Sequence, residues 1–166
     1  MRYYFFALLV IALDQWSKWL VIQYMNIREQ IPVIDGLFYI TSHRNQGAAF
    51  GILQNQRWFF IVVTTCVILF VIVYLWRIRK KQPMMSFAFS LVLGGAIGNL
   101  LDRIRMGEVV DFFHFQYESY QFPIFNVADS CIVVGVILLA ILNLRESSDQ
   151  AEKETTVTKA GSQHES

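Results

Sequence analysis

The chain has 166 residues, 55% of them hydrophobic and 16% charged, with a formal net charge of +1. So even a balance leaves no basic footprint for nucleic acid. The two cysteines, Cys66 and Cys131, lie in apolar runs without CxxC or Cys/His spacing, which leaves no sequence basis for a disulfide framework or a metal site. Each reads as a small core or lipid-facing residue.

Four apolar stretches reach the roughly 20 residues that a spanning helix requires. The first runs from about Tyr3 to Tyr24. Arg2 and the run to Leu13 resemble a signal peptide, but apolar sequence continues past Asp14 and Lys18 and no small-residue cleavage site follows, so the segment is read as retained. Asp14 and Lys18, four apart, form an internal ion pair in mid-membrane. In the first outer segment, Met25 to Arg57, β-favouring residues from Ile31 to Thr41 flank Asp35-Gly36. That pattern predicts a tight hairpin and a small sheet on the outer membrane surface. The small residues of His43 to Gly51 suit close backbone packing or a re-entrant segment, tolerated at membrane depth only where protein or water satisfies the backbone.

The second span runs from about Trp58 to Trp76 and leads into the basic cluster Arg77-Ile78-Arg79-Lys80-Lys81. The third runs from about Met85 to Leu101. Its Gly94 and Gly98 form a small-xxx-small pair that admits a neighbouring helix. Asn99, Asp102 and Arg103 share one face at its end, and Asp102 beside Arg103 reads as a buried ion pair holding helix ends. The second outer segment, Asp102 to Gln121, is dense in aromatics and reads as lying in the interface, with residues 106–121 as a mobile lid. The fourth span runs from about Ile124 to Leu144, with Asn126 and Asp129 on one face. Residues 146–166 are polar with almost nothing to bury, and are expected to form a disordered tail beyond a membrane domain of residues 1–145. His43, His114 and His164 read as surface histidines. Trp16, Trp19, Trp58 and Trp76 lie in spans or at their ends, the last two as interfacial anchors.

The basic cluster, Arg2 and Arg145 fall on one side of a four-span chain, so that side is assigned to the cytoplasm, with both termini. The expected architecture is an α-helical membrane protein of four transmembrane helices, with a small extracytoplasmic β-sheet and a second interfacial outer loop. All spans but the second carry polar groups on one face, and the economical arrangement turns those faces towards one pocket near the outer leaflet.

Asp111 and Asp129 border very apolar sequence. A carboxylate in or near lipid is costly and marks a functional site. Two that share one proton make an acid–base pair able to activate water and protonate a leaving amine. Asn45, Asn99 and Asn126 either line such a site or act as interhelical hydrogen-bond glue. HExxH, Gly-x-Ser-x-Gly and GxGD patterns are absent, and Ser17 and Lys18 are adjacent, so a Ser/Lys dyad cannot form across a helix face. On composition alone, a proton or ion conductor using Asp14, Lys18, Asp111 and Asp129 as relays, and an assembly factor held by buried charges, remain competing readings.

Five ordered segments carry a resemblance: Asp14-Gln15-Trp16-Ser17-Lys18, Arg44-Asn45-Gln46-Gly47-Ala48-Ala49-Phe50, Gly98-Asn99-Leu100-Leu101-Asp102-Arg103, Val109-Val110-Asp111-Phe112 and Phe125-Asn126-Val127-Ala128-Asp129. Together, on four spans, they resemble the motif set of the lipoprotein signal peptidases, or signal peptidase II, over all but the tail. The resemblance implies a bacterial intramembrane aspartyl endopeptidase with Asp111 and Asp129 as its dyad. Asn45, Gly47, Asn99, Arg103 and Asn126 would bind substrate or support the site, with Asp14, Lys18 and Asp102 in structural ion pairs. The implied substrate is a diacylglyceryl-modified prolipoprotein cut just before the modified cysteine in the cytoplasmic membrane, with the site towards the extracytoplasmic side. Membrane lipid is the other implied partner. No oligomer is implied, and neither a metal nor an organic cofactor has a residue basis.

Overall fold

The computed structural model describes residues 2–47 and 53–162, with side chains up to residue 146. Four helices are long and apolar enough to cross a membrane, with spans at Arg2–Tyr24, Arg57–Ile78, Pro83–Arg105 and Val127–Glu146. They belong to α1 (Arg2–Tyr24), α2 (Arg57–Ile78), α3 (Pro83–Arg105) and α4 (Val127–Ser162). Each begins and ends within a few residues of its expected span, except that α4 continues as helix to Ser162, where the composition predicts a disordered tail. Within residues 146–154, Glu146, Gln150, Ala151, Glu152, Lys153 and Glu154 are residue types of good helix propensity.

Helix α3 is the centre of the bundle and packs against α1, α2 and α4. Its glycines explain how. A Cβ on Gly94 would stand 2.6 Å from Val10 Cβ, and one on Gly98 2.5 Å from Asp14 Oδ2, both on α1. A Cβ on Gly95 would run into the Ala128 carbonyl of α4. The glycine-rich stretch therefore lets two helices close onto α3 from two sides. Helix α2 joins through an apolar cluster in which Ile68, Val71 and Leu75 meet Tyr3, Ala7, Leu93 and Ala96. Its outward face, with Trp58, Leu69 and Phe70, is exposed on the protein and has the apolar character lipid requires.

A four-stranded antiparallel sheet, order β1-β2-β3-β4, closes one end of the bundle. Its strands are β1 (Gln30–Ile34), β2 (Phe38–Asn45), β3 (Val109–Tyr117) and β4 (Tyr120–Gln121). The expected hairpin forms at Asp35-Gly36: Ile34 pairs with Phe38, and Gly36 takes φ +77°, the left-handed backbone that glycine adopts without Cβ strain. The second outer segment differs from expectation. Residues 109–117 pair with β2, with Asn45 opposite Val109 and His43 opposite Asp111. The segment expected as an interfacial loop is thus largely strand, and it carries Asp111 itself. Aromatic packing favours this pairing: Phe38 stacks on Phe115 at 4.6 Å between ring centres, and Phe115 faces Phe125 at 6.0 Å. His114, expected at the surface, is buried, and its Nδ1 lies 3.2 Å from Gln30 Nε2. Of the close-packed or re-entrant stretch expected over 43–51, residues 48–51 lie outside the described residues.

Candidate active site

The site is assembled where the sheet meets the ends of α1, α3 and α4. Asn126 is the N-cap of α4. Its Oδ1 accepts from the Asp129 amide at 2.9 Å, and Asp129 Oδ2 accepts from the Asn126 amide at 3.2 Å. This reciprocal capping box satisfies two backbone donors at the helix start and fixes the Asp129 carboxylate beside the positive end of the helix. Asn126 also reaches across to β3, where its Nδ2 donates to Asp111 Oδ1 at 2.7 Å. The other Asp111 oxygen accepts from Asn45 Nδ2 at 2.9 Å. Asp129 Oδ1 accepts from Asn99 Nδ2 at 2.7 Å. Two carboxylates on different elements are thus held by three asparagine amides, with Asn126 contacting both.

Behind this pair lies a fully buried charge cluster. Lys18 Nζ sits 2.8 Å from Asp14 Oδ2, 2.8 Å from Asp102 Oδ2 and 2.9 Å from Asn99 Oδ1, so all three of its protons have acceptors. The Asp14–Lys18 pair forms as the spacing predicts. The expected partner of Asp102 does not: Asp102 pairs with Lys18 on α1 and not with its neighbour Arg103, because consecutive residues point about 100° apart on a helix and only one faces α1. Arg103 turns towards the sheet. Its Nη2 donates to the Gly47 carbonyl at 3.1 Å, and its guanidinium lies 4.8 Å from the centre of the Phe60 ring. The Gly47 amide in turn donates to Asn45 Oδ1 at 2.9 Å. Asp14 has a second task, since its Oδ1 accepts from the Ala128 amide at 2.9 Å and so secures the start of α4 to α1.

Two supporting residues carried no assigned role in the sequence. Gln15 Nε2 bonds Asp102 Oδ1 at 2.8 Å and Asp14 Oδ2 at 3.2 Å, tying the two acids together. Its position beside Asp14 in an apolar span was the available signal. Arg57 caps α3, donating to the Arg103 and Ile104 carbonyls at 2.8 and 2.7 Å. No sequence pattern links those distant positions.

Asp111 and Asp129 open onto one cavity of about 570 Å³. Asn45, Asn99 and Arg103 contribute polar groups to its wall, while Ile132, Val133 and Val134 of α4 extend it along the lipid-facing side. Burial, followed by the nearby Asp129 charge, raises the Asp111 carboxyl to about 7. Hydrogen bonds from Asn45 and Asn126, then Lys18, oppose that rise. A carboxyl poised near neutrality beside a second one can exchange protons with substrate at ordinary pH.

The profile of the family "Signal peptidase (SPase) II" matches residues 6–145. The chain belongs to the signal peptidase II family. It is 54% identical over 139 residues to a lipoprotein signal peptidase of Geobacillus thermodenitrificans, covering 84% of this chain and 87% of that one. Identity to a lipoprotein signal peptidase of Bacillus subtilis is 51% over 154 residues, covering 93% of this chain and all of the other. A bacterial membrane enzyme solved by the in meso method at 2.3 Å superposes with a TM-score of 0.81 at 38% identity, covering 89% of this chain and 90% of that one. The chain is therefore a multi-pass membrane endopeptidase of the aspartic class, which displaces the conductor and assembly-factor readings.

Proposed function

We propose that Asp111 and Asp129 are the catalytic pair of this signal peptidase II. The enzyme removes the signal peptide from diacylglyceryl-modified prolipoproteins, cutting just before the modified cysteine. The observation that carries the assignment is that these two carboxylates, from β3 and α4, face one cavity and share the Asn126 side chain and backbone as donors.

Asp111 enters the reaction protonated, since burial and the Asp129 charge hold its proton to about 7. Asp129 enters as carboxylate and takes a proton from water as that water attacks the scissile carbonyl. Asp111 gives its proton to the carbonyl oxygen, forming a gem-diol. Asp129 then protonates the leaving cysteine nitrogen while Asp111 recovers a proton from the diol, which restores the single shared proton. Asn45, Asn99 and Asn126 hold the carboxylates in place throughout. Arg103 and Gly47 brace the cavity wall, and the Asp14–Lys18–Asp102 cluster fixes α1, α3 and α4 behind it.

The signal-peptide side and the acyl chains of the substrate enter from the bilayer along α4, where Ile132, Val133 and Val134 make the cavity apolar. Both states of an acyl chain are then apolar, so the lipid positions the scissile bond more than it drives affinity. Both termini and the Arg77–Lys81 cluster lie in the cytoplasm and the sheet outside, following the positive-inside rule. Residues 1–145 form the peptidase unit, and the polar segment 146–166 extends from it on the cytoplasmic side.

The test is cleavage of a diacylglyceryl-modified prolipoprotein by the purified enzyme and by its Asp111→Asn and Asp129→Asn variants. Cleavage before the modified cysteine by the wild type, absent from both folded variants, is expected. Retained cleavage by either folded variant refutes the assignment of that residue.

A further inference from the structure

A second cavity, of about 560 Å³, adjoins the first. The two share Asn45, Phe122, Pro123 and Ile124, so the second begins where Asn45 holds Asp111. Their walls differ in chemistry. The catalytic cavity continues into the apolar side of α4, whereas this one is lined by Arg28, His43, Arg44, Glu108, His114 and Gln121. Burial holds both histidines below their usual range, and for His43 the charges of Arg44 and Arg28 act in the same direction. The formal charge of the groove near neutral pH is therefore that of two arginines and one glutamate.

The two arginines are not equivalent. Arg44 has a partner, since its Nε lies 3.8 Å from Glu108 Oε1. The exposed Arg28 guanidinium has no hydrogen-bond or ion-pair partner among the described residues. Its backbone is nevertheless held firmly. Arg28 takes φ +70°, a left-handed conformation that is uncommon for so large a side chain. Its amide donates to the Ser42 carbonyl at 2.8 Å. Glu29 Oε2 accepts from the Asn26 amide at 2.8 Å and its side chain at 3.0 Å, while the Ser42 amide bonds the Glu29 carbonyl at 2.9 Å. Strain kept in place by surrounding bonds is a feature of ligand-contacting turns.

We infer that this groove receives the mature-side segment of the substrate, the residues after the modified cysteine, and that Arg28 makes it favour an acidic side chain there over a basic one. This rests on the proposed dyad, because a peptide lying across Asp111 and Asp129 has one side in the apolar cavity and the other leaving past Asn45. The apolar signal peptide belongs with the lipid-facing wall. The exported, water-soluble side belongs in the polar groove. Arg28 is then an unpaired cation beside an extended chain.

The experiment uses three diacylglyceryl-modified prolipoproteins with Asp, Asn or Lys at the second and third positions after the cysteine. kcat/KM is measured for the wild type and for Arg28→Glu at low and high salt. For the wild type, Asp over Lys by about two- to fivefold is expected, the range of an exposed ion pair. The preference should shrink in high salt. Arg28→Glu should invert the Asp/Lys ratio, whatever it does to the rate itself. A wild-type ratio near one, or the same ratio in Arg28→Glu, overturns the inference while cleavage of the Asn substrate still upholds the peptidase reading. Failure of the wild type to cut any of the three sinks that reading and the inference together.

Discussion

Asn45→Ala tests the electrostatics of the dyad most directly. Asn45 Nδ2 donates to Asp111 Oδ2 at 2.9 Å, and this bond favours the ionised carboxylate, so it holds the Asp111 pKa below where burial and Asp129 would leave it. A hydrogen bond to a charged group contributes about 1.5–3 kcal/mol, and water admitted at the open side of the cavity replaces part of that. A net loss of about 1.4 kcal/mol raises the pKa by about one unit. On the proposed assignment the working dyad holds one proton, and activity is expected to fall on the alkaline side as Asp111 gives its proton up. The alkaline limb of kcat/KM, which reports the free enzyme, should lie near 7 in the wild type. In Asn45→Ala it should move up to about 8. The assay is the pH dependence of cleavage of a diacylglyceryl-modified prolipoprotein in detergent from pH 5 to 9. A limb that stays in place, or moves to lower pH, would refute the account of Asp111 as a buried acid restrained by Asn45.

Other outcomes follow from the same geometry. Asp111→Asn and Asp129→Asn should each lower kcat by about a thousandfold or more with unchanged circular dichroism, since general acid–base catalysis contributes about 10²–10⁴. Asp14→Asn should reduce activity only in part and lower thermal stability by about 3 kcal/mol, because it weakens a buried ion pair while Lys18 keeps Asp102; complete loss of turnover in a well-folded variant would contradict that assignment. Gly98→Ala should destabilise by about 1–3 kcal/mol in thermal melts, as its Cβ would stand 2.5 Å from Asp14 Oδ2, and wild-type stability would show that α1 and α3 are not so closely packed. The raised Asp111 pKa means that the folded state holds a proton the unfolded state has released, so its contribution to stability is lost as pH rises from about 4 to about 7 and is constant above. Melting temperature should therefore fall over that window, and less so in Asp111→Asn.

The four spans and their order were legible in the sequence, and so were the acidic residues in and beside them. Lipid cannot satisfy a backbone, so each helical crossing is written as about 20 apolar residues, and charges inside a span, as Asp129, or beside very apolar sequence, as Asp111, stand out. The Asp35-Gly36 turn was legible for a similar reason, since its conformation is a property of the residues that make it. Partnership across elements was not legible. Whether Asp102 pairs with Arg103 or Lys18 depends on which helix face α1 meets, and Gly94, Gly95 and Gly98 settle that only once the helices have packed. That residues 109–117 join β2 as a strand depends on a register set by residues more than 60 positions away. The convergence of Asn45, Asn99 and Asn126 on two carboxylates likewise exists only in three dimensions. An asparagine in a span announces a hydrogen bond, but the identity of its acceptor is decided by the packing that brings α3, α4 and the sheet to one point.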